Sequence, residues 1–244
     1  VVLAFFACAY ISYKGMTGLC RLGEVVVPII IGITFLLVIL GVNNFDFSEL
    51  LPILSDSTFK DINIGAINST FRFMDILLLC MITPSLENKK DLNKIFINSI
   101  VFSTLMVAIL IVATQATLGV EYTKHANFPF LVYTRTLSVG EIYGFDSLYI
   151  GIWIIGNLMK ISAFLYYITV ALEKLTKKNN RLFIIPVSVL LVILTITIKN
   201  REPLLPIAGE LNNVIRLLSI ISVVVVPTIM LIAYFFRRKK LQNI

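Results

Sequence analysis

Lys160 stands in the middle of an apolar stretch, Ser147–Leu172 (SLYIGIWIIGNLMKISAFLYYITVAL), that carries no other charge. At about 1.5 Å per residue this stretch is long enough to cross a hydrocarbon core of roughly 30 Å. A lysine at the centre of such a helix costs about 2.5–3.5 kcal/mol on insertion scales, so it is expected to face protein, a carboxylate or a water-filled cavity. Snorkelling from mid-span to an interface would be a long reach. On a helical wheel Asn157, Lys160 and Tyr167 share one side, and Ser162 and Tyr166, four residues apart, share nearly the opposite side. A helix bathed in lipid would not carry two polar sides. The chemistry these residue types support is the binding of a small polar solute or an ion. A second polar cluster lies in FRFMDILLLCMITPSL (Phe71–Leu86), where Arg72 and Asp75 are three apart and able to pair. Ahead of it, NIGAINST (Asn63–Thr70) is a poor apolar helix. That pattern fits a discontinuous span whose freed backbone groups meet a substrate; the other reading is an external loop, with the span starting near Phe71.

Bond-breaking chemistry finds little support. The single histidine, His125, lies in a loop, and there is no glycine-rich phosphate loop, no HExxH pair and no nucleophile elbow. Cys8, Cys20 and Cys80 have neither metal-ligand nor disulfide spacing. The chain is expected not to be an enzyme and to use no metal or cofactor.

The elements that must position these groups are membrane helices. Hydrophobic residues make up 58% of the chain and charged ones 14%, against about 25% in a soluble domain; mean hydropathy is +0.92. Apolar runs of helical length, without alternating ten-residue strands, point to an all-α integral membrane protein rather than a barrel. About seven segments can be drawn: Val1–Tyr13, Val25–Val42, Ile62–Leu86 (interrupted by Arg72, Asp75 and Pro84), Ile95–Leu118, Ser147–Leu172, Leu182–Ile198, and Val214–Phe236 with Arg216 near its start. Alternate loops are the basic ones: Lys14 and Arg21; Lys89, Lys90 and Lys94; Lys174, Lys177, Lys178 and Arg181; and the tail Arg237–Lys240. The positive-inside rule then places the C-terminus in the cytoplasm. The net charge of +7 is thereby accounted for by topology, and no nucleic-acid partner is expected. The longest loop, Gly119–Asp146, carries NFPFLVYTRTLSVGEIYGF, apolar enough to form a helix across the outer mouth or to be an ordinary interfacial loop. Residues 1–244 are expected as one transmembrane domain. The start, VVLAFFACAY, has no methionine and no basic flank, as in the middle of a span, so the chain is expected to be the C-terminal part of a longer protein.

The stretch Phe128–Leu175 resembles the spore germination permease family, the B subunits of nutrient germinant receptors in the amino acid–polyamine–organocation superfamily. The resemblance is carried by Phe128-Pro129, Arg135, Gly140, Asp146, Trp153, Lys160, Ser162 and Tyr166. YKGMTGLCRLGEVVVPIII (Tyr13–Ile31) is similar to that family's connection between spans 4 and 5, and LLPIL (Leu50–Leu54) with Phe71–Leu86 to its next loop and sixth span. Two positions depart from the family: Asp75 stands where glutamate is usual, and Tyr143-Gly144 replaces an acidic–basic pair. The resemblance implies a partial leucine-transporter-like bundle, with the segments here as spans 4–10 of ten. It implies a small germinant, typically an amino acid, bound between the third and fifth segments. The residues expected at the ligand are Phe71, Phe73, Met74, Asp75, Ser162 and Tyr166. Lys160, Asn157 and Arg72 are expected at an ion site or gate. The other implied partners are further receptor subunits and the lipid bilayer, in the inner membrane of a spore. A proton-coupled amino-acid permease acting alone is the second reading.

Overall fold

The computed structural model describes residues 2–51, 58–72, 83, 91–199, 221 and 225–241. Helices dominate these residues: α1 (Val2–Tyr13), α2 (Gly15–Leu40), α3 (Phe59–Arg72), α4 (Leu92–Leu118), the short α5 (Val120–His125) and α6 (Pro129–Thr136), α7 (Asp146–Thr176), α8 (Arg181–Lys199) and α9 (Val226–Leu241). One two-stranded hairpin, β1 (Ser138–Val139) with β2 (Ile142–Tyr143), lies before α7. Three helices, α2, α4 and α7, are long and apolar enough to cross a membrane; shorter apolar helices lie at Val2–Tyr13, Arg181–Thr197 and Pro227–Phe236. The chain is all-α in class, as its composition requires.

The chain divides into two compact units, Val1–Ile53 with Asn88–Ile196, and Leu54–Glu87 with Thr197–Ile244. In the first unit α1 and α2 both pack on α7. Small residues set that packing. A Cβ on Gly156 of α7 would meet Ile30 of α2 at 3.4 Å, and one on Gly23 of α2 would meet Met159 of α7 at the same distance, the close approach through which membrane helices associate. The core proper lies at one end of the unit, where Leu37, Ala113, Tyr133 and Leu137 are buried together and Phe130, Phe145 and Tyr149 pack around them. Most of α4 touches none of this: Ile97, Val101, Phe102 and Leu105 are exposed. In the second unit α3 opens with a capping box. The Thr58 backbone N–H donates to Asp61 Oδ2 at 3.0 Å, and the Asp61 N–H donates back to Thr58 Oγ1 at 3.3 Å.

Several helices run past the expected boundaries, α4 taking in Lys94, α7 Lys174 and α9 Arg237–Lys240, and the largest shift is at α2. The second span was expected from Val25, with Lys14 and Arg21 in a loop; instead only Lys14 separates α1 from α2, and Arg21 is helical. The reason is tertiary. Leu19 is buried and Gly23 meets α7, so residues 15–24 gain packing by staying helical. Arg21 and Glu24, both exposed, are three apart in the first three turns of α2, a spacing at which opposite charges are neighbours. Asn63–Thr70 is helical. Pro28 and Pro186 lie inside α2 and α8, a substitution that membrane helices accommodate.

Candidate functional site

Four of the nine residues expected at the site, Asn157, Lys160, Ser162 and Tyr166, lie on α7, an unbroken helix of 31 residues. Its length comes from an uninterrupted run of helix formers and apolar residues. Its end comes from Lys177, which adopts φ 58° in the left-handed region and donates its N–H to the Glu173 carbonyl at 2.8 Å.

Along one side of α7, Trp153, Asn157, Lys160 and Phe164 follow at steps of four, three and four. The Asn157 amide donates to the Trp153 carbonyl at 2.7 Å, and the Lys160 ammonium lies 5.9 Å from the centroid of the Phe164 ring, at the outer edge of a cation–π contact. Lys160 and Trp153 are exposed, and Asn157 and Phe164 half-buried.

The opposite side of α7 is spent on α1. The Ser162 side chain is fully buried, its hydroxyl donating to the Leu158 carbonyl at 2.6 Å. The Ser12 hydroxyl of α1 sits 2.8 Å from both the Cys8 carbonyl of its own helix and the Ser162 carbonyl of α7. The Cys8 thiol reaches the Leu158 carbonyl at 3.5 Å. With its proton given to Leu158 the Ser162 hydroxyl could only accept from a ligand, and its full burial keeps a ligand from reaching it in this arrangement. Tyr166 is half-buried beside the α1–α2 break, its ring 4.0 Å from where a Cβ on Gly15 would stand. Tyr167, which shares the Lys160 side on a wheel, is buried, with its hydroxyl 3.8 Å from Met16 Sδ. Phe71 and Arg72 fall in the last turn of α3. Phe73, Met74 and Asp75, the Arg72–Asp75 pairing and Arg216 lie outside the described residues.

The loop between α4 and α7 is built and tied down. Gly140 opens the hairpin turn with φ 61°, and Glu141 after it has no positive φ, the pattern of a type II′ turn that needs glycine first. Arg135 Nε donates to Asp146 Oδ2 at 3.1 Å, joining α6 to the first residue of α7. The pair is well exposed on the arginine side, so it orients more than it stabilises. The stronger tie is Tyr133, fully buried, whose hydroxyl donates to the Leu37 carbonyl at 3.0 Å and lies 3.3 Å from the Val38 carbonyl. Both lie in the last turn of α2, where carbonyls run short of i+4 N–H donors; the Val38 carbonyl also accepts from the Gly41 N–H at 3.2 Å. Burial pushes the Tyr133 phenol up to about 12. In the same loop Glu121 is held below the usual carboxylate range by hydrogen bonds from Lys124 and His125. Between this loop and the first turns of α7 lies an apolar cleft of about 180 Å³. Trp153 forms part of its wall and meets Phe128 edge-on at 6.5 Å.

Sequence reasoning missed Tyr133, Ser12 and Cys8. For the last two the available signal was small polar residues at i and i+4 on an apolar helix, the usual glue between membrane helices. Tyr133 left no such signal, because its partner is a helix end far away in sequence.

Long apolar helices with this packing define a polytopic helical membrane protein. Residues 1–204 match the family model for spore permeases, described as spore germination protein, and the chain belongs to that family. It is 28% identical over 194 residues to spore germination protein KB of Bacillus subtilis (strain 168), an alignment that covers 78% of this chain and 52% of that protein. The chain thus spans about half the length of the curated relative it matches. No solved structure matches it.

Proposed function

We propose that the chain forms part of the membrane-embedded B subunit of a nutrient germinant receptor, in the inner membrane of a spore and with its C-terminus in the cytoplasm. In this reading it performs no catalysis. It binds a small germinant, an amino acid, near mid-membrane, and α7 supplies one wall of the site. Lys160 offers its charge to the germinant carboxylate or to a coupled ion, and Asn157 offers its amide. Ser162 and Tyr166, on the α1 side of the same helix, tie that wall to the α1–α2 pair. Binding acts only if the germinant prefers one of two bundle arrangements, because a ligand with equal affinity for both shifts nothing. The preferred arrangement is then passed to the other receptor subunits.

The observation that carries this reading is the Trp153–Asn157–Lys160–Phe164 stripe, a cation and an amide at the centre of a membrane helix, in a chain of the germination family. The test is a germination dose–response in spores that carry the intact gene. Asn157→Ala is expected to shift the half-maximal amino-acid concentration about tenfold, the effect of about 1.4 kcal/mol, at unchanged receptor level. An unchanged curve removes Asn157 from the site. Amino-acid uptake by proteoliposomes of the intact protein, without partner subunits, would instead favour a permease that acts alone.

A further inference from the structure

A groove of about 210 Å³ runs between α1 and α8, lined by Phe6, Ala9, Tyr10, Tyr13, Ile184 and Ile185, with Arg181 at one end. Its floor is Ile184, which is buried, and its rims are exposed: Phe6 is 76% and Ile185 72% accessible. Two cations stand at the same end. The Arg181 guanidinium lies over the Tyr13 ring, 4.8 Å from its centroid. The Lys14 ammonium lies over the Tyr10 ring at 5.2 Å. Among the described residues neither cation has a carboxylate partner. Lys14 follows α1 and Arg181 opens α8, so both mark where apolar helix gives way to polar chain on one face of the membrane.

We propose that this groove binds an anionic phospholipid, with part of one acyl chain against Phe6, Ala9, Ile184 and Ile185 and the phosphate at Arg181 and Lys14. Three features support that occupant over a zwitterionic lipid or another helix. The lining is apolar up to its end and cationic there, the charge order of a phospholipid at an interface. The cations are uncompensated, and basic pockets between spanning helices are the usual sites for acidic headgroups. The Tyr13 ring holds the guanidinium at 4.8 Å, and arginine N–H groups can make a forked contact with phosphate. The site is independent of the germinant reading and needs only that the helices span a bilayer.

The test uses the full chain in neutral detergent, with phosphatidylglycerol or chain-matched phosphatidylcholine added and the retained lipid counted by native mass spectrometry. The wild type is expected to retain phosphatidylglycerol in preference. The double variant Lys14→Gln, Arg181→Gln is expected to lose retention by about fivefold per cation, the fold-change corresponding to about 1 kcal/mol each. Equal retention of the two lipids by the wild type overturns the proposal, as does an undiminished preference in the double variant. If circular dichroism shows that the double variant has lost helix, Ile185→Trp decides: it blocks the groove with both charges in place. Loss of the retained lipid supports the site, and unchanged retention overturns it.

Discussion

Of the described glycines, Gly41 is the one an added Cβ would crowd most, and the crowding atom belongs to Tyr133. A Cβ on Gly41 would stand 1.9 Å from the Tyr133 hydroxyl, so glycine is required there by proximity rather than by its backbone angle. Gly41→Ala is expected to lower the midpoint of thermal unfolding in detergent, and adding Tyr133→Phe is expected to restore part of the loss by removing the closest atom. Tyr133→Phe alone should cost about 1–3 kcal/mol, because it takes this hydroxyl donor from the buried Leu37 carbonyl. The same phenol gives a pH signature. Its ordinary value is near 10, and burial in the fold raises it to about 12. In the unfolded chain it ionises first, so its contribution to stability is complete below pH 10 and is lost as pH rises from about 10 to about 12. The difference in unfolding midpoint between wild type and Tyr133→Phe, followed across that window, should shrink with rising pH; a constant difference would contradict the burial. None of this was legible beforehand, since a tyrosine and a glycine so far apart in sequence carry no mark of contact.

At the scale of elements, α1 and α7 are joined through hydroxyls and carbonyls, not through large side chains. Ser12→Ala removes the bond to the Ser162 carbonyl. It should cost about 0.6–1.7 kcal/mol, the range for hydrogen bonds between membrane helices, read as a lower midpoint of unfolding in mixed detergent. Helix existence was readable wherever apolar residues ran long enough: each expected segment is helical in its described part. Boundaries were less readable. The start of α2 moved to Gly15 because Leu19 and Gly23 pack inward, and loop-charge reasoning has no access to packing. Arg135, Gly140 and Asp146 were all picked out by their resemblance to the family. That Arg135 and Asp146 pair, and that Gly140 makes the turn between them possible, follows only from the hairpin.

At the scale of the molecule, the class was legible because burial in lipid demands an apolar composition, and the family because Phe128–Leu175 resembles it. The direction in which each polar residue of α7 points was not. A helical wheel shows two polar sides but not which one a neighbour takes; α1 takes that of Ser162, and Lys160 stays exposed on the other. The proposed germinant site therefore depends on water and solute reaching Lys160. The direct measurement is Lys160→Cys in the intact protein with its own cysteines replaced by alanine, labelled by a charged, membrane-impermeant thiol reagent. Labelling that the germinant amino acid slows is the predicted result. No labelling in folded protein, or labelling at a rate indifferent to amino acids, would contradict a ligand site on this side of α7.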